Sequence, residues 1–292
     1  MANRTVPYPF LKWAGGKGRM IGHIIPRMPP KIKTYFEPFI GGGAVFFELA
    51  RQKRFERAVI GDCNAELINA YKVVKESVDA LVKELKEGDY EYAKPRYLRI
   101  RALKPADLSN IERAARLIYL NRTCFNGLYR VNTKTGQFNV PFGRYKNPVI
   151  CDEANLRAVS EALQNVEIQR TDFLSLVGDA KEGDVVYLDP PYIPTSKTSK
   201  FTSYNMLGFT EADHRRLAEC FSNLAKAGIC VILSNSYAPL ALELYGQYEI
   251  LELMGGRSVG GPASYRKPAK EIIVYGWKPP APVDSVNLVA QP

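Results

Sequence analysis

The sequence predicts an α/β protein with a doubly wound, mostly parallel sheet, into which a helical and β-hairpin module is inserted. Short apolar segments alternate with helical patterns near both ends of the chain, as in βαβ units of parallel sheets. Residues 65–149 interrupt this alternation with helical patterns followed by a hairpin candidate. We therefore expect one domain from residues 1–64 and 150–278, a second from residues 65–149, and a disordered tail at 279–292.

The first βαβ unit places a glycine-rich turn after a strand. The strand covers 34–39, the turn is Gly41–Gly43, and the next strand ends in Asp62. Such a turn lets a ligand approach the backbone at the carboxyl edge of the sheet, where open α/β sheets bind ligands. The spacing of the dinucleotide fingerprint fails, because Phe46 stands where its third glycine belongs. Asp62 could bind a pair of ribose hydroxyls or cap the following helix.

The remaining elements follow from periodicity and turn residues. Residue Ser109 is a candidate N-cap, and residues 132–136 are the candidate hairpin turn. The predicted helices cover 44–52, 65–85, 92–103, 109–120, 153–163 and 210–225; the later strands cover 166–170, 184–189, 229–234, 248–253 and 271–277; the hairpin covers 128–142.

The tetrapeptide Asp189-Pro190-Pro191-Tyr192 ends an apolar strand candidate. The Asp189 carboxylate and the Pro190 carbonyl can both accept hydrogen bonds from one amino group, and the Tyr192 ring can stack on the flat system that carries it. An exocyclic amine of a nucleobase fits this arrangement. A proline-rich turn after a strand is the structural alternative.

Charge is concentrated in one segment. The chain has a formal net charge of +10, and residues 94–147 hold twelve basic residues against two acidic ones, which accounts for the whole excess. A solvated basic face is the ordinary explanation, but such confinement favours a polyanionic partner. Aromatic residues are interleaved with these charges. Asn126, Arg130 and Asn132 are of types that make bidentate contacts to base edges.

Composition narrows the class of protein. The chain is 46% hydrophobic and 24% charged, as expected of a soluble globular protein. Neither a signal-peptide pattern nor a membrane-length apolar run is visible, so we expect no membrane partner and a cytoplasmic location. Five cysteines without a close pair predict reduced thiols, and two distant histidines make a zinc site improbable, so no metal is expected.

Several linked motifs resemble the DNA adenine-N6 methyltransferase family typified by the Dam enzymes. The similarity covers about residues 10 to 277, with the motifs in family order. They are Phe10-Leu-Lys-Trp-Ala-Gly-Gly-Lys17, Glu37-Pro-Phe-Ile-Gly-Gly-Gly-Ala-Val-Phe46, Asp62-Cys-Asn64, Leu120-Asn-Arg-Thr-Cys-Phe-Asn-Gly-Leu-Tyr-Arg130, Phe138-Asn-Val-Pro-Phe-Gly143, Asp189-Pro-Pro-Tyr192, Phe201-Thr202, Ile232-Leu-Ser-Asn235 and Lys270-Glu271.

This resemblance implies a class I methyltransferase-like fold, S-adenosyl-L-methionine as cofactor and adenine in double-stranded DNA as substrate. Residues 1–64 and 150–278 would form the catalytic domain and 65–149 the target-recognition domain. The implied catalytic residues are Asp189, Pro190 and Tyr192. The implied cofactor residues are Trp13, Lys17, Phe39, Gly41, Gly43, Asp62, Asp172 and Asp189. The expected DNA contacts are Lys12, Phe125, Asn126, Leu128, Arg130, Asn132 and Pro141.

The resemblance further suggests GATC as the recognition sequence, with the target adenine flipped out of the duplex. A monomer near the nucleoid of a bacterial or phage-infected cell is expected. Restriction protection, a phage function and epigenetic regulation, including a link to replication, stay open as biological roles. Two alternatives to a DNA methyltransferase are an RNA or protein methyltransferase with a related Pro-Pro-Tyr loop and a non-enzymatic DNA-binding regulator. The regulator would need the basic segment but not Trp13, Asp62 or Asp189.

Overall fold

A computed structural model describes residues 6–132, 135–195, 209–257 and 268–277. The strands are β1 (Ile32–Glu37), β2 (Phe55–Gly61), β3 (Val166–Gln169), β4 (Val185–Leu188), β5 (Cys230–Ser236), β6 (Glu249–Arg257) and β7 (Pro268–Tyr275). The helices are α1 (Ile21–Ile24), α2 (Ala44–Arg51), α3 (Ala65–Glu76), α4 (Val78–Glu87), α5 (Lys94–Ala102), α6 (Asn110–Thr123), α7 (Glu153–Ala162), α8 (Phe173–Val177), α9 (Glu211–Lys226) and α10 (Pro239–Tyr245).

One seven-stranded sheet organises the chain, in the order β3-β2-β1-β4-β5-β7-β6. The first five strands in this order pair in parallel, and β7 is antiparallel to both β5 and β6. The chain leaves β1 towards β2 on one side, and later returns to place β4 on the other side. This change of direction makes the carboxyl ends of β1 and β4 the switch point at which such sheets bind ligands. The predicted doubly wound, mostly parallel sheet is confirmed.

Apolar residues cover both faces of the sheet. Tyr35 and Phe36 are consecutive on β1, and their side chains enter different core clusters because side chains alternate along a strand. The cluster around Tyr35 includes residues of α2, α3, α6 and α7, whereas the cluster around Phe36 includes residues of α8, α9 and α10. The first cluster spans both predicted domains, so they share a core. The domain division at residues 64/65 stays a prediction.

Most predicted elements agree with the structure, with one helix divided. The predicted helix 65–85 is two helices, α3 and α4, separated at Ser77. Ser109 caps α6 through a capping box with Glu112, as its sequence position predicts. Short helices α1, α8 and α10 were not predicted, because four to seven residues carry too little periodicity. The tail 279–292 lies outside the described residues.

The predicted hairpin forms with less strand structure than expected. In the described part of 128–142, pairing consists of the antiparallel bridges Val131–Phe138 and Cys124–Phe142. Tertiary packing dominates here, because Phe138 and Val140 join Tyr97 and Tyr119 in a third core cluster. Phe138 is thus a core residue, as is commoner for an aromatic in such a segment.

Candidate active site

Asp189 lies at the carboxyl end of β4, next to β5. The pairing Leu188–Leu233 in the parallel register places Asp189 beside Ser234, which follows Leu233. Ser234 Oγ donates a hydrogen bond of 2.9 Å to Asp189 Oδ1. The hydroxyls of Ser234 and Tyr187 are 2.8 Å apart, and Tyr187 is the donor because the Ser234 hydrogen is already used. The register of two buried strands thereby orients the carboxylate.

Lys17 brings a positive charge to the same carboxylate. Its Nζ is 2.7 Å from Asp189 Oδ1 and 2.6 Å from the carbonyl oxygen of Gly15. The ammonium also lies 4.7 Å from the centroid of the Tyr192 ring, within cation–π distance. The Lys17 side chain is 5% exposed and that of Asp189 19% exposed. An N–H donor therefore contacts both the acid and the ring of the tetrapeptide.

Burial and hydrogen bonding act in opposite directions on the acidity of Asp189. Removal from water raises the pKa of its carboxyl, because the charged form loses solvation, whereas the Lys17 charge and the hydrogen bonds from Lys17 and Ser234 lower it. Burial is the larger effect, so the net pKa is raised. Lys17 is thus one of the groups that favour the ionised form.

Tyr192 and the segment after it are tied to the antiparallel edge of the sheet. The Tyr192 hydroxyl donates to Glu271 Oε2 at 3.0 Å, from β7. Asn235 on β5 accepts a hydrogen bond of 3.0 Å from the Ile193 backbone N–H. Pro190 is buried between these anchored residues. The tetrapeptide is therefore held from β5 and β7 together.

The turn Gly41–Gly43 lies at the carboxyl end of the adjacent strand β1. Gly41 and Gly43 have φ of 47° and 74°, in the left-handed region that favours glycine. A Cβ on Gly41 would lie 2.8 Å from Trp13 Cδ1, and one on Gly43 would lie 2.7 Å from the Tyr71 hydroxyl oxygen. Trp13 stacks on the other side against Tyr129, with 5.4 Å between ring centroids. Trp13 and Tyr71 therefore pack directly against this turn, and Tyr129 packs against Trp13.

Asp62 serves this turn and does not cap a helix. Its Oδ2 accepts from the Gly41 N–H at 3.4 Å, and its Oδ1 accepts from the Asn64 N–H at 2.9 Å. The N-cap of α3 is Asn64, whose side chain accepts from Glu66 and Leu67. The capping alternative for Asp62 is therefore wrong. Burial raises the pKa of Asp62 to about 6.

Phe39 comes just before the glycine turn, and Asp172 comes just before α8. Phe39 stacks on Phe173 at 5.6 Å between centroids, and Phe209 contacts both rings edge-on or tilted. Asp172 is exposed and caps α8 by accepting from the Leu174 N–H. Its carboxylate also lies 3.5 Å from a guanidinium nitrogen of Arg216. Three packed aromatic rings, with the exposed carboxylate of Asp172 next to them in sequence, therefore follow the end of β3.

Most of the predicted DNA-contacting residues form one exposed surface. Phe125, Asn126 and Pro141 are exposed, Leu128 is half-buried, and the Phe125 N–H donates to the Pro141 carbonyl at 2.8 Å. Lys12 is exposed and joins them, because a Cβ on Gly127 would lie 2.6 Å from its Cβ. Lys12 Nζ also lies 4.4 Å over the Tyr145 ring.

Arg130 and Asn132 lie farther along the hairpin. Arg130 Nε donates to the Asn139 side chain at 2.6 Å across the pair, so its guanidinium is held on the exposed face. Asn132 Oδ1 accepts from the Thr135 N–H within the turn. The contacts of both residues are with other residues of the hairpin.

Not all of the basic charge in residues 94–147 is free to contact phosphates. Arg96 and Arg99 pair with Asp89, and Arg113 pairs with Glu66, both acids from outside this segment. Arg116 is buried and donates to backbone carbonyls at the end of α5. The local excess of charge is therefore partly used for packing α5 and α6.

Several site residues were missing from the sequence-based set. Ser234, Glu271 and Tyr129 contact Asp189, Tyr192 and Trp13 respectively. All three residues fall in motifs that resemble those of the methyltransferase family. Their contacts, however, depend on which strands and segments are neighbours in the fold. Among the described residues, no group of three or more His, Cys, Asp or Glu side chains could hold a metal ion. In the same ranges, no helix is long and apolar enough to cross a bilayer.

Comparison with known proteins identifies the family of this chain. The model of the D12 class N6 adenine-specific DNA methyltransferases matches residues 13–259, and the chain belongs to this family. It is therefore an enzyme, an adenine-specific DNA methyltransferase, and the regulator, RNA and protein alternatives are set aside.

Curated relatives match almost end to end. The chain is 48% identical to the type II methyltransferase M1.LlaDCHI of Lactococcus lactis, over 92% of this chain and 95% of the relative. It is 42% identical to M.MjaIII of Methanocaldococcus jannaschii, over 89% and 95%. It is 35% identical to the DNA adenine methylase of Escherichia coli K12, over 92% and 95%. The structure of a putative methyltransferase from Thermoplasma acidophilum aligns with a TM-score of 0.34 at 10% identity, covering 90% of this chain and 74% of that one.

Proposed function

We propose that this enzyme transfers the methyl group of S-adenosyl-L-methionine to N6 of an adenine within GATC in double-stranded DNA, after flipping that adenine out of the duplex. The observation that carries the chemical part is the position of the Lys17 ammonium. It already makes with Asp189 and Tyr192 the two contacts proposed for the N6 amine, a carboxylate at 2.7 Å and a ring centroid at 4.7 Å. Asp189 and Tyr192 are therefore positioned so that one N–H donor can contact both of them.

The residues around Gly41–Gly43 fit S-adenosyl-L-methionine. Trp13 and Tyr71 pack against the glycines of this turn, and Asp62 at the end of the next strand has a buried carboxylate suited to a pair of ribose hydroxyls. Phe39 and Phe173 offer an apolar wall for an adenine ring, with Asp172 at its rim to accept from an amine. When bound, the cofactor supplies an activated methyl group on a sulfonium. Lys17 and Trp13 would close the site from the amino-terminal segment.

Asp189 and Pro190 act on the target nitrogen. The lone pair of adenine N6 is delocalised into the ring, which makes it a poor nucleophile. Hydrogen bonds from its two N–H groups to the Asp189 carboxylate and the Pro190 carbonyl favour a tetrahedral nitrogen whose lone pair points at the methyl carbon. Transfer would form the N6–C bond as the C–S bond of the cofactor breaks, and one N6 proton would pass to water. Positioning and fixed electrostatics supply the rate, without a covalent enzyme intermediate.

Base flipping would bring the target adenine to Asp189, whose side chain is 19% exposed. Enzymes that act on a base generally take it out of the stack, because its reacting atom is not accessible inside a duplex. Extruding the adenine costs a few kcal/mol, which stacking on Tyr192 would offset. Phe125 forms an exposed surface with Lys12, Asn126, Leu128 and Pro141, which we call the recognition surface. Phe125 is 47% exposed there, so its aromatic ring can occupy the space that the flipped base leaves. Lys12, Asn126, Leu128, Arg130, Asn132 and Pro141 would contact the recognition sequence.

The test combines a mapped product with a site variant. DNA from a host that expresses the enzyme is digested with two nucleases, one blocked by methylated GATC and one that requires it. Protection from the first and cutting by the second are expected. Methylation mapped to another sequence would overturn the GATC assignment while leaving the adenine chemistry intact.

Asp189→Ala is the matched variant for the chemistry. It removes the carboxylate that grips the amine, so methyl transfer is expected to disappear, while duplex binding through the recognition surface stays close to that of the parent enzyme. Label transfer and duplex affinity are measured on the same preparations. Retained methyl transfer by this variant would overturn the role of Asp189.

A further inference from the structure

The buried residue Asn121 joins three segments: α6, the amino-terminal segment at Lys12 and the turn at Gly127. Its Oδ1 accepts from the Lys12 backbone N–H at 2.8 Å, and its Nδ2 donates to the Lys12 carbonyl at 2.7 Å. The same Nδ2 donates to the Gly127 carbonyl at 2.9 Å. The residue lies in the last turn of α6 and is 1% exposed. One side chain amide therefore holds a segment leading into the active site and the turn that carries Asn126.

The amino-terminal segment and the recognition turn also touch directly at this point. Gly127 has a φ of 63°, and a Cβ there would lie 2.6 Å from Lys12 Cβ and 2.7 Å from Lys12 Cδ. Asn126, with a φ of 55°, is likewise in the left-handed region. A turn in this conformation needs outside support, because non-glycine residues adopt it rarely. The hydrogen bond from Asn121 to the Gly127 carbonyl provides such support.

A second asparagine, Asn155, makes the equivalent of two of these three hydrogen bonds. Asn155 Oδ1 accepts from the Tyr8 N–H at 3.1 Å, and its Nδ2 donates to the Tyr8 carbonyl at 3.0 Å. Asn155 is fully buried, on α7, and binds the same segment four residues before Lys12. The two asparagines therefore both fasten the amino-terminal segment by its backbone. The bond to Gly127 is what distinguishes Asn121.

We infer that Asn121 is a positioning residue for sequence discrimination: it fixes Lys12 in register with the recognition turn, so that both present their groups to one stretch of DNA. This inference rests on the proposed function, in which Lys12 and Asn126 contact the recognition sequence. Loss of the amide frees the two segments to move relative to each other. Contacts to the correct sequence then weaken more than contacts to phosphates, which any duplex offers.

The experiment compares discrimination in Asn121→Ala and Asn155→Ala. The measured quantity is the ratio of kcat/KM on a duplex with the enzyme's mapped target sequence to kcat/KM on duplexes with one changed base pair, alongside the unfolding midpoint. Both variants lose the pair of backbone hydrogen bonds, so both are expected to be destabilised. We expect the ratio to fall about fivefold or more in Asn121→Ala and to be unchanged in Asn155→Ala.

A second pair of variants probes the same junction without touching the amide. Gly127→Ala forces a methyl group against Lys12, whereas Gly228→Ala introduces it at a similar φ of 74° with no atom within 4 Å. Lower discrimination in Gly127→Ala but not in Gly228→Ala supports the inference, whereas equal discrimination in the two variants contradicts it. This comparison replaces that of the asparagine variants if Asn121→Ala does not fold.

Lys12→Ala separates the inference from the function on which it rests. Equal discrimination in Lys12→Ala and the parent enzyme would overturn the assignment of Lys12 to the recognition sequence, and the inference with it. Reduced discrimination in Lys12→Ala together with an unchanged ratio in folded Asn121→Ala would overturn the role of Asn121 alone. Equal loss of discrimination in Asn121→Ala and Asn155→Ala would show a general effect of loosening the amino-terminal segment. That result would also overturn the specific role of Asn121.

Discussion

Replacement of Lys17 by glutamine should destabilise the enzyme and change how its stability depends on pH. The substitution removes the charge that is paired with Asp189 inside the site, where the two side chains are 5% and 19% exposed. Breaking a buried pair by removing one partner costs about 3–5 kcal/mol, because the other charge stays buried. Asp189 keeps the Ser234 hydrogen bond and some solvent contact, so we expect the lower limit, about 3 kcal/mol, near pH 8.

The sign of the pH dependence follows from the same contacts. Burial raises the pKa of Asp189 and Lys17 lowers it, so the variant should have a still higher pKa at this carboxyl. A carboxyl with a raised pKa in the folded state binds protons more readily there than in the unfolded chain, so its burial costs stability at high pH. That cost is recovered as the pH falls through the folded-state pKa. The deficit of Lys17→Gln relative to the parent enzyme should therefore shrink towards acidic pH.

The assay is denaturant unfolding at about pH 5 and about pH 8, with methyl transfer followed over the same range. The acidic limb of the rate profile should move to higher pH in the variant, because Asp189 acts as a carboxylate. Lys86→Gln is the control, since it removes an exposed pair with Glu153 on α7, and solvent screening leaves such a pair little stabilisation to lose. A deficit equal at both pH values, or no larger than that of the control, would refute the reasoning.

Three further predictions concern the cofactor and DNA. Because burial raises the pKa of Asp62 to about 6, cofactor affinity should fall as the pH drops below that value, and calorimetric titration of Asp62→Asn should lack this step. Arg130→Ala should cost about 1–3 kcal/mol of discrimination at one base pair, measured on single-substitution duplexes; a uniform loss would make Arg130 a phosphate contact. The slope of log affinity against log salt should be negative but shallower than the about −11 that twelve phosphate contacts would give, and a flat response would remove the basic segment from the interface.

Local pattern was sufficient for most of the fold. Ser109 and Glu112 form the capping box that starts α6, and Gly41 and Gly43 adopt the left-handed conformation that a strand–turn–helix junction requires. These features depend on residues within one turn of each other. The hairpin was less predictable, since Phe138 and Val140 are held by a core that includes α5 and α6, and pairing between its arms is reduced to isolated bridges.

In the candidate site, too, some residues were suggested by the sequence, whereas the role of another depended on the fold. Chemical type and position at a strand end made Asp189 and Tyr192 candidates from the sequence, with a proline-rich turn as the structural alternative. The sequence did not distinguish the two roles considered for Asp62. The fold separates them, because Asn64 occupies the capping position and Asp62 turns to the Gly41 N–H.

The sequence by itself determined the residue types, the order of the elements and the family, since motifs and periodicity are local properties of the chain. Only the tertiary structure decided which groups meet. Lys17 reaches Asp189 across 172 positions of sequence, Ser234 is its neighbour through the β4–β5 register, and Asn121 binds both Lys12 and Gly127. Such contacts depend on the order of strands and the packing of α6, which arise from burial of the whole core and are encoded in no single segment.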